Sequence, residues 1–244
     1  MAKITSCYLQ RDRGDYVSPC VFSAMEGFRF QGVEIIGFEE DDLPNLPLTK
    51  QTIVCGWVRT VQNAFTLLGV EIPPPLDYPT SLDPYLGREL RKTTLADVHS
   101  QWSNSDNPNP VFIKPVRHKQ FTGHTIERFS HLAETTDFPK ETEIWESTTV
   151  DFRSEWRCFV HHGSLVGIKH YVGDPWLLPD KKVVIEMIKA YEDAPVAYAL
   201  DVGVTPSSTL LVEVNDFFST GNYGLSNITY CEMVEDRWKE IVGI

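Results

Sequence analysis

The stretch Ala199-Leu-Asp-Val-Gly-Val-Thr-Pro-Ser-Ser-Thr-Leu-Leu-Val-Glu-Val-Asn-Asp216 decides how this chain is read. Two apolar runs flank Thr205-Pro206-Ser207-Ser208, a turn signal, and the pattern predicts a β-hairpin. Asp201 falls in the first strand. Glu213 and Asn215 stand two apart in the second, so their side chains share a face. Registered across the hairpin, three oxygen-bearing side chains converge. Two carboxylates and an amide oxygen suit Mg²⁺, which takes oxygen ligands and binds together with substrate phosphates. A strand pair with polar residues on its solvent face would carry the same residues. The tail Asp216-Phe-Phe-Ser-Thr-Gly-Asn-Tyr-Gly224 has the Gly content of a loop that lets a ligand come close.

The chain has 244 residues, 42% of them hydrophobic, enough for a sizeable core in one or two domains. Its charged fraction of 23% is that of a globular protein. A formal net charge of -12 argues against a broad basic surface for duplex nucleic acid and against attachment to anionic membranes. The five Cys are scattered, with no C-x-x-C pair, and read as free buried thiols in a reducing compartment. The N-terminus lacks a signal-peptide core, and no run approaches the ~20 apolar residues of a membrane span. The expectation is a soluble, cytoplasmic protein.

From Met1 to about Tyr78, strand and helix patterns alternate. Strands are expected at Lys3 to Leu9, Val33 to Phe38, Thr52 to Gly56 and Val70 to Ile72. Helices are expected at Ser18 to Phe30 and Trp57 to Leu68, the second stopping at Gly69. Such alternation implies an open α/β layer with parallel pairing. No Gly-rich dinucleotide fingerprint is present. Asp77 to Lys92 is a polar connection and a domain boundary. Thr93 or Thr94 caps a short helix ending near Trp102.

Val111-Phe-Ile-Lys-Pro-Val116 is a strand that contains Lys114, costly among apolar neighbours unless its ammonium finds a counter-charge. An exposed edge-strand Lys is the plainer alternative. The following loop, Arg117-His-Lys-Gln-Phe-Thr-Gly-His124, combines cations with a Gly tip and can lie over phosphates. It lacks the spacing of a Walker A loop. Ser154 to Val160 and Ser164 to Tyr171 form a second hairpin about a turn at His161-His162-Gly163. On its first strand Glu155, Arg157 and Phe159 share a face. Arg157 beside Glu155 is either a surface ion pair or a pair pointing into a cleft. Helices are expected at Lys181 to Asp193 and Ser226 to Val242.

Taken together, residues 94–244 resemble the ATP-grasp superfamily, and the N-terminal layer is consistent with its pre-domain. Ile113-Lys114-Pro115 resembles the first phosphate-binding Lys strand, and Lys119-Gln-Phe-Thr-Gly123 the loop over the phosphates. Ser147-Thr-Thr-Val-Asp151 resembles the hinge that holds adenine through its backbone, and Glu155 matches the ribose-binding position. Glu155-Trp-Arg157 resembles the signature of a compact amidoligase-like branch common in phages and bacteria, so a phage origin is among the expectations. Asp201, Glu213 and Asn215 match the Mg²⁺ ligands, and Asn222-Tyr-Gly-Leu225 resembles that branch's ending. Two departures stand out. Thr148 occupies the hinge position where Glu is usual, and Ala199 the position where many relatives carry Arg.

The resemblance implies an α/β (α+β) ATP-grasp fold in three parts. These are a pre-ATP-grasp domain over 1–92, a small subdomain over 93–147 and a C-terminal subdomain over 148–244 with the metal site, the two subdomains sandwiching ATP. It implies ATP and Mg²⁺ as cofactors and carboxylate–amine ligation through an acyl phosphate. Lys114, Lys119, Phe121, Thr122 and Gly123 would hold the phosphates. Thr148, Thr149 and Val150 would hold adenine, and Glu155 the ribose. Arg157 would stabilise the transferring group, with Lys169 near the acceptor; either could replace the charge missing at Ala199. The partners would be small-molecule or peptide carboxylates and amines. A kinase-like phosphotransferase or a non-catalytic nucleotide-binding protein would carry the same nucleotide residues. Oligomeric state is open.

Overall fold

The computed structural model describes residues 3–117 and 120–244. In chain order the elements are β1 (Ser6–Asp12), β2 (Asp15–Tyr16), α1 (Pro19–Phe30), β3 (Glu34–Glu39), β4 (Thr52–Cys55) and α2 (Val58–Leu67). Then come β5 (Leu90–Thr94), α3 (Leu95–Ser103), β6 (Val111–Pro115), β7 (His124–Ile126) and β8 (Glu143–Thr148). The chain closes with β9 (Ser154–His161), β10 (Ser164–Gly173), α4 (Lys181–Ala190), β11 (Ala197–Val204), β12 (Thr209–Asp216) and α5 (Asn227–Val242). It divides into two compact units, Met1–Tyr85 with Arg153–Ile244, and Leu86–Phe152. The architecture is mixed α+β, in agreement with the fold class expected from sequence.

The larger unit holds two sheets. In the first, β1 is flanked in parallel by β3 and β4, while the short β2 pairs antiparallel with its far end. Parallel neighbours need crossovers: α1 supplies the one from β1 to β3, a segment with a short 3-10 turn at Glu40–Asn45 leads from β3 to β4, and α2 follows β4. Ser18 caps α1 by accepting from Val21 N at 3.4 Å, with Pro19 at the first helical position, where its missing N–H costs nothing. The expected strand at Val70 to Ile72 does not form. It runs into Pro73-Pro74-Pro75, which has no N–H groups to donate to a ladder, and Ile72 stays exposed. The second sheet is antiparallel throughout, in the order β10-β9-β11-β12. Helix α5, capped by Ser226, packs with α1 over a core that includes Leu9, Phe28, Ile53, Phe65, Phe217 and Trp238. Phe65 meets Trp238 at 5.0 Å and Phe218 at 5.6 Å between ring centroids. All five cysteines are free thiols, four of them buried.

The smaller unit is one antiparallel sheet, β5-β8-β6-β7, backed by α3. Leu95, Val98 and Trp102 of α3 join Ile113, Ile126 and Ile144 in its core. Thr94 and Asp97 form a reciprocal capping box, in which Thr94 Oγ1 accepts from Asp97 N at 3.2 Å and Asp97 Oδ2 accepts from Thr94 N at 3.2 Å. Among the described residues no helix is long and apolar enough to cross a membrane.

Candidate functional site

Pairing of β9 with β11 sets the geometry of the larger unit's site. Register partners line up Lys169 of β10, Arg157 of β9, Asp201 of β11 and Glu213 of β12 in one row across four strands. Residues in register share a face, so two cations and two carboxylates stand side by side. The same face changes character along the strands. Phe159 and Ala197 belong to the apolar core that includes α5, and the charged row lies further along. A bulge follows between Asp201 and Val202, where β12 carries the extra residue Val212. Bulges end regular pairing and re-aim side chains, and they are common beside active sites.

Arg157 and Asp201 are both buried, with side chains 8% and 2% exposed. The guanidinium donates to the carboxylate through Nε to Oδ1 at 2.8 Å and Nη2 to Oδ2 at 2.6 Å, the bidentate fork that suits Arg. Nη1 donates to Thr220 Oγ1 at 3.2 Å. The ring of Tyr223 lies 4.6 Å from the guanidinium carbon and that of Tyr171 6.0 Å. Neither form of the Arg157–Glu155 pair expected from sequence, on the surface or pointing into a cleft, is found: Arg157 is buried and paired with Asp201. Glu155 instead accepts from the Tyr171 hydroxyl at 2.7 Å. Asn215 Nδ2 donates to Asp201 Oδ2 at 3.0 Å and to Glu213 Oε1 at 2.9 Å, joining the hairpin's three oxygen-bearing residues in one cluster.

Burial pushes the Asp201 carboxyl up to about 6, aided by Glu213 and Glu155 and opposed by the hydrogen bonds and charge of Arg157. Burial works against the charge on Arg157 too, but Asp201 outweighs it, so the guanidinium holds its proton more firmly than usual. Tyr171 is pushed well up by burial and by the carboxylates of Asp201 and Glu155. At neutral pH the Arg157–Asp201 pair is therefore ionised.

The donor set fits Mg²⁺. A carboxylate oxygen keeps acceptor capacity after one hydrogen bond, and a half-turn of the Asn215 amide presents its oxygen in place of its nitrogen. Arg157 cancels the charge of Asp201, which leaves the trio of oxygen donors with a net charge near that of Glu213 alone. A dication bound there would keep positive charge to offer a phosphate.

Aromatic and hydroxyl groups around Arg157 were not anticipated from sequence. Thr220, Gly221 and Tyr223 lie in the loop after β12. A Cβ on Gly221 would stand 2.6 Å from the Tyr223 ring and 3.4 Å from Arg157 Nη1, so only Gly admits this approach. The loop is tied down by the Tyr230 hydroxyl donating to Thr220 O at 2.9 Å and by Asn222 Nδ2 donating to Ser23 Oγ. An aromatic set between Gly221 and Gly224 was the available signal.

In the smaller unit, Lys114 sits half-buried on β6 opposite Trp145 of β8. Gly123 folds back on it, and a Cβ there would lie 2.9 Å from Lys114 Cβ. Phe121 is partly buried and packs on Phe138, with centroids 5.3 Å apart, anchoring the loop, while Thr122 is exposed. Lys119 lies outside the described residues. Thr148 ends β8, where its N donates to Glu89 O at 3.1 Å and its Oγ1 accepts from Glu89 N at 3.2 Å. Thr149 is exposed and Val150 half-buried in the irregular segment beyond. Lys114, Phe121 to Gly123 and Thr148 to Val150 thus belong to the smaller unit, and Glu155, Arg157, Lys169, Asp201, Glu213 and Asn215 to the larger.

The fold has solved counterparts. A RimK domain ATP-grasp protein from Sphaerobacter thermophilus DSM 20745 superposes with a TM-score of 0.58 at 16% identity, over 96% of this chain and 99% of that one. A D-alanine--D-alanine ligase from Bacillus anthracis gives 0.58 at 12% identity over 99% of each chain. The ATP-grasp ligase PsnB, solved with a phosphomimetic variant of its minimal precursor, Mg and ADP, gives 0.53 at 12% identity over 98% of this chain and 100% of that one. At such identities the likeness is one of fold. No curated protein matches the chain. Residues 85–233, more than half of the chain, match the model of an ATP-grasp domain family, the second family of the R-2-K clade, and the protein belongs to that ATP-grasp family.

Proposed function

We propose that this protein is an ATP-dependent ligase that joins a carboxylate to an amine, releasing ADP and phosphate. The observation that carries the reading is the buried Arg157–Asp201 fork, in line with Glu213 and bonded to Asn215, in a chain of an ATP-grasp family. In this reading the substrate carboxylate attacks the γ-phosphorus of ATP, forming an acyl phosphate as ADP leaves. The amine then attacks the acyl carbon, and the tetrahedral intermediate expels phosphate to leave the amide. Neither step needs a nucleophilic side chain, so catalysis is positioning and charge neutralisation.

Each residue then has a task. Lys114 and Lys119 hold the α- and β-phosphates, and Phe121 fixes the loop that carries Thr122 and Gly123 over them. The backbone of Thr148, Thr149 and Val150 holds adenine. Glu155, aimed by Tyr171, accepts from ribose hydroxyls. Asp201, Glu213 and Asn215 hold Mg²⁺, which when bound supplies charge neutralisation on the β- and γ-phosphate oxygens. Arg157 has donors left over from its bonds to Asp201 and Thr220 and directs them at the transferring phosphoryl group and the later oxyanion. Lys169, at the cationic end of the row, faces the acceptor. The acceptors are small molecules or peptides, and the acidic protein favours amine-bearing ones.

The test is incubation with Mg-ATP and pools of amino acids or peptides, reading ADP, phosphate and product mass. ADP release that requires both an acid and an amine, with a product lighter than their sum by one water, supports ligation. A phosphorylated product formed without amine would replace it with phosphotransfer, and nucleotide binding without turnover would leave a binding protein. Asp201→Asn and Glu213→Gln abolish turnover in this reading, and full activity in either removes the site.

A further inference from the structure

We infer that His161, His162 and Asp236 form a binding site for a divalent transition-metal ion of the zinc class, separate from the row of charged residues. The three side chains come from the β9–β10 turn and from α5, within the larger unit. His161 Nε2 lies 2.9 Å and His162 Nε2 3.0 Å from the same oxygen, Asp236 Oδ2. The two imidazoles stand 4.3 Å apart, tilted by 34°, so three donor atoms face one point. A tetrahedral ion with bonds of ~2.0–2.1 Å spaces its ligand atoms by roughly 3.3 Å. Opening this cluster by a few tenths of an ångström would make that room.

Adjacent residues on a strand point to opposite faces, so neighbouring histidines ordinarily cannot share a ligand. Here the turn brings them together. His162 and Gly163 have φ of 48° and 67°, the two successive left-handed residues of a type I′ hairpin turn. Asn-Gly is the usual choice for that turn, and His is among the residues that tolerate its left-handed first central position. The backbone is held as well. His162 N donates to Val196 O at 2.8 Å, and Val196 N donates to Glu240 Oε2 at 3.0 Å, one helical turn beyond Asp236 on α5. Both halves of the cluster are thus positioned by contacts that do not involve its own side chains.

Ligand chemistry separates this site from the one proposed for Mg²⁺. Two imidazole nitrogens and one carboxylate suit Zn²⁺, Co²⁺ or Ni²⁺, whereas the oxygen donors at Asp201, Glu213 and Asn215 suit a harder ion. Three protein ligands leave a further position for water, and His162, 62% exposed, leaves a path for the ion. On binding, each neutral imidazole carries its proton on Nδ1 and offers Nε2 to the ion. The bound ion would clip the β9–β10 turn to α5.

The experiment uses full-length protein without a histidine tag, stripped with chelator and kept in excess Mg²⁺ to fill the oxygen-donor row. Zn²⁺ is titrated against a chromophoric chelator, and Co²⁺ is followed by its visible absorption. One equivalent of Zn²⁺ per chain is expected, with affinity reduced tenfold or more in both His162→Ala and Asp236→Asn and unchanged in Glu213→Gln. A Zn²⁺-dependent rise in Tm should appear in the parent protein and vanish in His162→Ala, whose exposed side chain makes misfolding no excuse. No retained equivalent in the parent, or less than a tenfold loss in His162→Ala, overturns the site. None of these readouts depends on ligase activity.

Discussion

Replacing Arg157 with Met keeps an unbranched apolar stem and removes the charge, both bonds to Asp201 and the bond to Thr220. The carboxylate, 2% exposed, would then be buried beside Glu213 with no cation to balance it. Breaking a buried pair from one side costs about 3–5 kcal/mol when the remaining charge stays ionised. Asp201 has a way to limit that cost, because it can take a proton. In the parent protein its carboxyl already lies at about 6, raised by burial against the pull of Arg157. For a carboxyl raised above its unfolded value of about 3.9, the stabilising contribution is present below pH 4 and is lost as pH rises to 6. Above pH 6 this group makes the parent's stability level. Without Arg157 the carboxyl moves higher, so the variant keeps losing stability where the parent no longer does.

Each pH unit in that window corresponds to about 1.4 kcal/mol. The penalty of Arg157→Met should therefore be small near pH 5.5 and approach about 3 kcal/mol by pH 8. Urea denaturation at several pH values, read by fluorescence and circular dichroism, measures it. Adding Asp201→Asn to the same variant should remove the pH dependence, since no ionisable group then remains at that position. A penalty of equal size at pH 5.5 and pH 8, or a slope that survives Asp201→Asn, would refute the claim that these two residues are each other's counter-ion.

Other perturbations test separate parts of the molecule. Thr94→Ala removes one half of the capping box at α3 and should cost about 1 kcal/mol, seen as faster amide exchange in the first turn of that helix. Gly221→Ala places a methyl where the Tyr223 ring now lies and should displace that ring from Arg157. The loss would be about 0.5–1 kcal/mol in stability, with a changed near-ultraviolet dichroism, and an unchanged spectrum would discount the ring contact. Lys114→Ala should raise the KM for ATP at least tenfold while leaving Tm within a degree or two, and an unaltered KM would remove Lys114 from phosphate binding. EDTA should abolish ADP formation, with Mg²⁺ restoring it.

Local pattern settled much of this molecule. Alternation along a strand has a period of two, so Glu213 and Asn215 could be assigned to one face from spacing alone. Asp201 joins that face only because the bulge at Val212 shifts the register that the short turn would otherwise continue. Local pattern also settled the β9–β10 hairpin and the caps at Ser18, Thr94 and Ser226, which depend on residues a few positions apart. Strand–helix alternation before Tyr78 fixed parallel pairing because parallel neighbours require a crossover. Val70 to Ile72 has the apolar run of a strand but does not form one, because three prolines follow and offer no donors.

Other features are set by contacts between distant segments. Sequence offered Arg157 one acidic partner, Glu155 on its own strand. Only the β9–β11 register, closed by a chain that passes through α4 first, places it on Asp201 and releases Glu155 to Tyr171. Tyr223 and Thr220 reach the guanidinium because a loop folds back, held by Tyr230 and Ser23 from helices at opposite ends of the chain. His161 and His162 read as a turn; His161 in fact ends β9 and His162-Gly163 make the turn, and Asp236 meets the two histidines only through the packing of α5. Sequence periodicity determines which face a side chain occupies, since that follows from backbone geometry. Which charges meet across that face is decided by burial, because only removal from water makes one pairing strongly preferable to another.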